Sequence, residues 1–426
     1  MNTIYFLKRL LLFYFIICLS FYSLNGQRFE EVMPAWQSTL TKAISQKGYQ
    51  NVILVQNGTH LTIGYENRVQ RFEPKAIVEI IKILKGNAID KEIITLELIP
   101  QRLQLPLVNI SFSIKDFQYW KDGRLALIAF INSMQIVQSK KHNRNFNGAN
   151  FTNSGNYRLE LELEPRINLG LGGFPDPVLH RFSLVPSFNT FLWKGAQLKL
   201  KFSIPISSEF QIIDEDFTKP NILSFSQSFH LSNNFWIKGT IGYFTQNRYG
   251  GEIAFTKFFQ NSNFAIRGKA GYTGYASYPI KLGLEEAIRG WEYADINYLD
   301  YEIGGVYWFK QWNTQLQLSY AKTLFQKNRL KFTVLQRFNE VDIGFFAFRT
   351  QRGNNYGFQT NIPLFPKKYW KPKRLSIRPS RTIDYTYHAT QFFADSYKVD
   401  DTILDFYRQY HPGFIRNQLV RSELWE

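Results

Sequence analysis

The chain has 426 residues, of which 44% are hydrophobic and 17% are aromatic, and its formal net charge is +17. This length is sufficient for one large domain and a small one. A single cysteine excludes an internal disulfide, the six histidines lack the spacing of a zinc helix, and no nucleic-acid motif accompanies the positive charge. Abundant aromatic residues without a long apolar segment favour alternating β-strands over buried helices.

Residues 1–26 have the three zones of a secretory signal peptide. Lys8 and Arg9 precede an apolar segment at 10–24, and small or polar residues follow. The apolar segment is shorter than the roughly 20 residues of a membrane-spanning helix, so we predict cleavage, with an uncleaved anchor as the alternative. Cys18 lies within this segment and follows large apolar residues, which argues against a lipid anchor.

Residues 27–124 predict a small α+β domain, which we expect in the periplasm. The stretch "EEVMPAWQSTLTKAISQKG" offers an amphipathic helix, and "EPKAIVEIIKILKG" offers a second one with apolar residues at helical spacing. Between them, "NVILVQNGTHLTIGY" predicts a hairpin that turns at Asn57 and Gly58. Further strands are predicted near 92–99 and 107–114.

The segment 125–156 is predicted to connect this domain to the next region. Its first part, "LALIAFINSMQIVQ" at 125–138, could be a final strand or a final helix of the α+β domain, and its periodicity does not distinguish them. The polar, Asn-rich part that follows is typical of a linker.

From Tyr157 the sequence alternates between apolar and polar residues with a period of two, as in "YRLELELE" and "TQLQLSY". Between 157 and 365 the alternation and its interruptions predict twelve strands, with lengths that suit tilted membrane strands of about 9 to 11 residues. These strands are expected near 157–171, 180–194, 196–206, 221–231, 235–247, 251–260, 263–275, 297–310, 312–325, 328–338, 340–351 and 354–365.

The connections between these strands alternate between tight turns and longer loops. In an up-and-down barrel alternate turns lie on the same rim, so this pattern places all long loops on one rim, as in outer-membrane barrels. The predicted fold class is therefore mainly β: a transmembrane antiparallel up-and-down barrel at 157–365, with a soluble β-sandwich as the alternative. An even strand number would leave the N-terminal domain and the C-terminal tail together in the periplasm.

Alternation also predicts which side chains face the lumen of this barrel. In "NYLDYEIGGVYWFK", Leu299, Tyr301 and Ile303 would face lipid, whereas Asp300 and Glu302 would face inward. Aromatic faces beside cations suit an acidic sugar chain, although such residues could equally fill a narrow barrel and neutralise one another. The candidate polysaccharide contacts in the lumen are Lys199, Lys201, Trp236, Lys238, Arg267, Lys269, Asp300, Glu302 and Trp308.

The region 366–426 is predicted to be a basic periplasmic segment followed by an amphipathic helical tail. Its start, "PKKYWKPKRLSIRPSR", has seven cations and no acid, and could bind lipid phosphates or an acidic partner, or be a solvated tail. In the tail, Ile403, Leu404 and Tyr407 could dock on the barrel or on another protein. The basic patch consists of Lys367, Lys368, Lys371, Lys373, Arg374, Arg378 and Arg381.

The sequence offers little catalytic chemistry. Ser228 and His230 would lie on the same lumen-facing side of one strand, but neighbours of this kind are common by chance. There is no nucleophile elbow and no phosphate-binding glycine loop. We therefore expect a protein without catalytic residues, metal or cofactor.

Short motifs resemble a known family. The stretches "GGFPDPVLHRF", "RYGGEIAFTKFF", "VDIGFFAFRT" and "GNNYGFQTNIPLF" resemble the YjbH/GfcD-like outer-membrane proteins of exopolysaccharide and capsule secretion. The resemblance covers about 155–365 and implies an outer-membrane barrel encoded with polysaccharide export machinery. Known members of this family are longer, carry two barrels and are often lipoproteins, whereas this chain has room for one barrel.

These features together predict a non-enzymatic outer-membrane barrel in exopolysaccharide or capsule secretion or surface assembly. The alternative is a structural or scaffolding barrel with a plugged lumen that binds an envelope complex through its periplasmic domain. The expected partners are outer-membrane lipid, acidic polysaccharide and other exopolysaccharide export proteins, with no nucleic acid. The expected location is the outer membrane of a Gram-negative bacterium.

Overall fold

A computed structural model gives the fold of most of the chain. It describes residues 34–139, 151, 153–171, 178–209, 218–231, 234–259, 263–277, 292–324, 327–351, 353–389, 397–399 and 408–425. The predicted signal peptide at 1–26, most of the Asn-rich linker and the tail residues Ile403, Leu404 and Tyr407 lie outside these described residues.

The N-terminal region is a mixed α+β fold, as its sequence predicts. The sheet order is β1-β2-β3-β5-β6, with β4 beside β3, and β2 and β3 are parallel. The elements are α1 Ala35–Gln46, β1 Gln50–Asn57, β2 His60–Glu66, α2 Glu73–Gly86, β3 Thr95–Arg102, β4 Leu105–Pro106, β5 Val108–Ser113, α3 Ile114–Lys121, α4 Leu127–Ser133 and β6 Gln135–Gln138.

Helix α2 is the crossover that a parallel pair of strands requires. Pro74 lies in its first turn, where a missing N–H has no intrahelical partner to lose. Ile77, Ile80, Ile81 and Leu84 recur at helical spacing and are fully buried. This helix therefore supplies much of the core of the α+β region.

The ambiguous segment 125–138 contains both a helix and a strand. Its first part forms α4, and its second part forms β6, which pairs antiparallel with β5. The segment therefore completes the sheet of the α+β region.

The second region is an antiparallel sheet in which consecutive long strands pair in sequence order. The twelve long strands predicted between 157 and 365 are all present, and a two-residue strand, β14 Glu292–Tyr293, pairs with the end of β13. The long strands are β7 Leu159–Leu171, β8 Val178–Phe191, β9 Ala196–Ser208, β10 Lys219–Leu231, β11 Phe235–Phe244, β12 Arg248–Phe258, β13 Phe264–Ser277, β15 Tyr298–Phe309, β16 Thr314–Lys322, β17 Asn328–Phe338, β18 Val341–Thr350 and β19 Gly353–Pro363.

Two further strands join the first and last of these twelve. β20, Leu375–Pro379, pairs parallel with β7, and β21, Thr382–His388, pairs antiparallel with β19. Between them, the Ser380 N–H donates to the Leu163 carbonyl at 2.8 Å, and the Arg381 carbonyl accepts from Leu364 N–H at 3.0 Å. The segment 375–388 thus links the two ends of the sheet, and we call it the closing segment and the linked sheet the barrel.

The strands that pair with this sheet therefore extend to residue 388, beyond the predicted end of the barrel at 365. The closing segment runs in the same direction as β7, so the sheet is completed by a parallel pair and does not need an even number of strands. Its sequence is difficult to recognise as a strand because Pro379 cannot donate a ladder hydrogen bond and because cations dominate the residues before it. At this proline the segment changes its partner from β7 to β19.

The strands of the barrel alternate as predicted between exposed apolar and buried polar side chains. On β15, Leu299 is 54% and Ile303 is 51% exposed, whereas Asp300 between them is 7% exposed. Large apolar residues are exposed on the outer side of every long strand region, including Leu198, Leu223, Phe229, Ile241, Ile253, Tyr272, Leu318, Leu330, Phe345, Tyr356 and Ile362. An apolar surface of this extent is typical of a protein that contacts lipid.

Among the described residues, no helix combines the length and the hydropathy needed to cross a membrane.

The opposite orientation of Leu299 and Asp300 can be tested with single cysteines. In a Cys18→Ser background, a spin label at Leu299→Cys should be reached by oxygen dissolved in lipid, whereas a label at Asp300→Cys should not, because alternate residues of a strand face opposite sides. Electron paramagnetic resonance of the protein in lipid vesicles measures both accessibilities. Ile303→Cys and Glu302→Cys form a second pair, and equal lipid accessibility within both pairs would contradict the register.

Candidate functional site

The α+β region contacts the rim of the barrel that carries the tight turns. Gly195, in the turn between β8 and β9, donates its N–H to the Leu103 carbonyl at 2.9 Å. Gly195 has a φ of +79°, and a Cβ there would lie 2.1 Å from the Ser228 carbonyl oxygen, so only glycine fits this contact. On another turn, between β17 and β18, Glu340 pairs with Arg71 at 2.7 Å.

Arg68 is the centre of a buried ion-pair network at this rim. It follows β2 and pairs with Glu66 at 2.6 Å and with Glu160 of β7 at 3.3 Å, and its guanidinium lies 4.1 Å from the centre of the Phe191 ring. Glu160 also pairs with Arg378 of the closing segment at 3.3 Å. A buried charge is tolerated only when it is paired, so these contacts hold the α+β region, the first strand and the closing segment in one arrangement.

The C-terminal tail packs against the same rim. After a short turn at Arg408–Tyr410, helix α5 spans Pro412–Leu419. Arg416 donates to the carbonyls of Ile131 and Met134 in the α+β region, at 3.2 and 2.6 Å, and Asn417 donates to the Lys310 carbonyl of the barrel at 2.8 Å. Helix α5 therefore connects the α+β region to the barrel.

Glu73, at the start of α2, joins the tail to the α+β region. Its carboxylate accepts hydrogen bonds from Tyr65 at 3.2 Å, Asn67 at 2.9 Å and Tyr410 at 3.0 Å. Burial raises the pKa of Glu73 above its ordinary value of 4.5, and the hydrogen bonds from Asn67 and Tyr410 and the charge of Arg381 offset part of that rise. Burial also raises the pKa values of Tyr65 and Tyr410 well above 10, so both remain hydroxyl donors.

The tail also contacts the inner wall of the barrel farther from this rim. Tyr397 donates to Asp300 at 2.9 Å, and its ring stacks on Phe244 with 5.6 Å between the ring centres. Closer to the rim, His411 stacks on Trp308 at 5.2 Å. Asp300 and Trp308 lie on the same face of β15, eight residues and thus about 26 Å apart. The described parts of the tail therefore contact the lumen wall at two levels.

A polar cavity of about 500 Å³ lies inside the barrel. Residues of the α+β region, the barrel strands and the tail all line it. Ten cationic and seven acidic side chains are among its described lining residues, so the cavity has a net positive lining. A volume of this size is comparable to that of sites for small ligands.

The predicted lumen contacts do not form one continuous groove. Lys199, Lys201 and Lys269 line the cavity, and two of them are paired, Lys201 with Glu164 at 3.2 Å and Lys269 with Glu252 at 3.1 Å. The remaining six contribute to packing or to pairs elsewhere on the inner wall.

Three of those six are aromatic or lysine side chains in the wall. Trp236 is fully buried and stacks on His230 with 4.0 Å between the ring centres, Lys238 is 7% exposed, and Trp308 stacks on His411.

The other three carry opposite charges. Glu302 pairs with Arg267 at 3.2 Å and with Arg329 at 3.4 Å, and Asp300 accepts from Tyr397. Arg267 and Glu302 therefore neutralise each other.

His230 and Ser228, the only catalytic pairing that the sequence offered, lie on this inner wall, where the imidazole stacks on Trp236. Among the described residues, no group of three His, Cys, Asp or Glu side chains is placed to hold a metal ion.

The seven cations of the predicted basic patch are divided between the surface and the lumen. Lys368 pairs with Glu79 of α2 at 2.9 Å. The Lys367 carbonyl accepts from the Arg71 N–H at 3.0 Å, and the Arg374 carbonyl accepts from Leu159 N–H at 2.9 Å. The side chains at 367, 368, 371, 373 and 374 are intermediate or exposed, whereas Arg378 and Arg381 line the cavity because the closing segment turns them inward.

The sequence analysis did not single out Arg68, Arg71, Arg102, Tyr397 or Tyr410. The first two stand in the loop "ENRVQRF", where charged residues look like an ordinary solvated loop. Their importance comes from contacts with residues far away in the chain, such as Glu160 and Glu340. The sequence does carry one signal for these residues: Glu66, Arg68 and Arg71 are three charged residues at and directly after the end of the buried strand β2.

Comparison with known proteins gives the family. The model of the YjbH family, "Exopolysaccharide biosynthesis protein YbjH", matches residues 25–238, which is half of the chain. The chain belongs to the YjbH family. The match covers the α+β region and the strands from β7 into β11.

A search of curated protein sequences found no match. Among solved structures, this YjbH protein is similar to in-vitro folded OmpT, an outer membrane protein of Vibrio cholerae, at 9% identity over 48% of this chain and 79% of that chain, with a TM-score of 0.25. It is also similar to a triple mutant of the Rhodopseudomonas blastica porin, at 10% identity over 48% of this chain and 88% of that chain, with a TM-score of 0.25. At these TM-scores the similarities carry no conclusion.

The ion-pair network predicts that substitution of Glu160 lowers the stability of the protein. Glu160→Gln leaves Arg68 and Arg378 without the carboxylate that both contact, so we expect the free energy of unfolding to fall by about 3–5 kcal/mol. Glu162→Gln is the matched control because Glu162 is on the same strand, is more exposed and, among the described residues, forms an ion pair with Arg378 alone. Urea unfolding in lipid vesicles, followed by tryptophan fluorescence, measures both variants, and equal losses would contradict the central role of Glu160.

Glu73 predicts a pH dependence of stability. Because its folded-state pKa is raised, its contribution is fully present below about pH 4.5, its ordinary value, and is lost as the pH rises through the raised pKa. The melting temperature of the wild type relative to Glu73→Gln should therefore fall with increasing pH in that window. Thermal melts of the full chain in detergent measure this difference. If the difference in melting temperature between the wild type and Glu73→Gln instead rises with pH, the raised pKa is refuted.

Proposed function

We propose that this protein is a non-enzymatic outer-membrane barrel that acts in the secretion or surface assembly of an exopolysaccharide. Its membership of the YjbH family, whose description is exopolysaccharide biosynthesis, is the observation that carries this proposal. The barrel, its apolar outer surface and its charged cavity supply a physical basis for it.

The outer surface supports a location in a membrane. The long strands have 9 to 14 residues, compared with the roughly 9–11 residues that a tilted strand needs to cross the hydrocarbon core. Their exposed side chains include large aliphatic and aromatic residues on every long strand, whereas charged residues such as Glu160, Lys199, Glu252 and Asp300 are buried. In water such a surface would promote aggregation, but in lipid it is the favourable arrangement.

The two rims support an orientation. Tight turns, the α+β region and helix α5 share one rim, and short turns in outer-membrane barrels lie on the periplasmic side. We therefore place the α+β region and the end of the tail in the periplasm. There, the exposed Trp370 and its neighbouring cations Lys371 and Lys373 could contact lipid phosphates or another exopolysaccharide export protein.

The second candidate function is a scaffold with a closed lumen, and the tail favours it. Tyr397 and His411 both contact the inner wall, and Tyr397 and Val399 share a buried cluster with Phe244 and Leu324. A polymer could pass only if these contacts opened. In the scaffold role the barrel would anchor the α+β region next to an envelope complex and would transport nothing.

A gene deletion tests the role in exopolysaccharide secretion. In a deletion strain we expect loss of extracellular polysaccharide with accumulation in the periplasm, and restoration by the complementing gene. The measurement is the uronic acid and total sugar content of both fractions. Unchanged extracellular polymer would refute the secretion role.

Measurements of channel conductance distinguish a barrel whose lumen can open from a scaffold whose lumen stays closed. Thr245 and Lys398 are joined by hydrogen bonds at 2.8 and 3.2 Å, so a Thr245→Cys/Lys398→Cys pair in a Cys18→Ser background should crosslink the tail to the wall. In planar bilayers the oxidised protein should stay closed, and reduction of the same sample should raise the frequency of open channels at least several-fold. A closed lumen in both states would favour the scaffold.

A further inference from the structure

Arg381 occupies an unusual position in the closing segment. It lies between β20 and β21 and lines the cavity. The charged groups that act on it most strongly are Arg378 and Arg102, which are both cations. Among the described residues, no acid forms an ion pair with its guanidinium, although its charge also acts on the buried carboxylates of Glu73 and Glu160.

Neighbouring cations on the inner wall differ from Arg381 in this respect. Arg378 pairs with Glu160 and Glu162, each at 3.3 Å, and Lys201 and Lys269 have carboxylate partners at 3.2 and 3.1 Å. A cation inside a protein, next to two like charges, is unfavourable unless an anion compensates it. An anion bound at Arg381 would offset the repulsion from Arg378 and Arg102.

The surroundings of Arg381 suit a polar ligand of small size. Ser380 and Thr382 flank it and line the cavity, as do Gln409 and Tyr410 from the tail. Guanidinium groups bind carboxylates through two parallel hydrogen bonds, and hydroxyl and amide side chains suit the hydroxyl groups of a sugar. The cavity can therefore offer both a charge partner and hydrogen-bond partners to one molecule.

We propose that Arg381, supported by Arg102 and Arg378, forms an anion-binding site that takes the carboxylate of an acidic sugar. The site is made jointly by the α+β region, which contributes Arg102, the closing segment and the tail. The identification of the carboxylate with a unit of the exported polymer rests on the proposed function. The binding of a carboxylate-bearing sugar does not.

Direct binding tests the proposal. The full chain in detergent is titrated by calorimetry with digalacturonate, with the neutral disaccharide maltose, with glucose 1-phosphate and with inorganic phosphate. Digalacturonate should bind, maltose should not, and the affinity should fall as salt increases, because exposed charge interactions are screened. A preference for either phosphate over digalacturonate would overturn the assignment to a carboxylate, and equal binding of maltose would overturn the role of charge.

The substitution Arg381→Gln tests whether Arg381 is the residue that binds digalacturonate. It should weaken digalacturonate binding at least ten-fold, whereas the exposed Arg124→Gln should leave binding unchanged. Unchanged affinity in Arg381→Gln would overturn the proposal.

Stability distinguishes a ligand-binding residue from a structural one. Without ligand, Arg381→Gln should lower the melting temperature less than Arg378→Gln, because among the described residues Arg378 has ion pairs with Glu160 and Glu162 and Arg381 has none. Arg378→Gln should melt lower, because it leaves Glu160 and Glu162 with fewer partners. Digalacturonate should raise the melting temperature of the wild type and not that of Arg381→Gln. A large loss of stability in ligand-free Arg381→Gln would assign this arginine to the fold and overturn its role in binding.

The binding test and the deletion test can fail separately. If the deletion strain loses extracellular polymer but the purified protein binds no acidic sugar, only the anion site is overturned. If digalacturonate binds and the deletion has no effect on polymer, the site remains and the secretion role is overturned.

Discussion

The contact of Glu160 with two arginines is the interaction on which the arrangement of the molecule depends. Arg68 comes from the α+β region, Glu160 from the first barrel strand and Arg378 from the closing segment. Each of these charges would be costly to bury alone. Because they are buried together, the α+β region can sit on the rim only when the closing segment is also in place. The position of the cavity and of Arg381 follows from this, since the segment that carries Arg378 also carries Arg381.

Many charged side chains in the lumen form ion pairs with other residues of the barrel. Glu302 lies between Arg267 and Arg329, and Lys269 pairs with Glu252. Each of these ion pairs neutralises the charges that it joins. The tail adds two aromatic contacts to the inner wall, Tyr397 at Asp300 and His411 at Trp308. The excess of cations around Arg381 is produced where three parts of the chain meet.

The sequence alone predicted the regular part of this fold well. Period-two alternation gave the twelve long strands and their inward and outward faces, because one face is apolar and a shift of one residue would expose every polar side chain to lipid. It did not identify the closing segment, whose partner β7 is more than two hundred residues away and whose proline interrupts the ladder. It also placed Arg378 and Arg381 in a surface patch. Their neighbours, such as Glu160 and Arg102, come from other strands. A local sequence pattern cannot predict contacts between residues so far apart in the chain.

The parallel pairing of β20 with β7 has a consequence for assembly. The ion pair between Glu162 and Arg378 joins residues 216 positions apart, and contacts of such long range are slow to form because the chain between them must first be ordered. Consecutive hairpins of the barrel can pair one after another as the chain reaches the membrane. The edge of β7 that faces away from β8 has no partner until the closing segment is present. We therefore expect the open edge of β7 to be exposed for most of assembly, and its protection from other strands to depend on how quickly the last part of the chain is delivered.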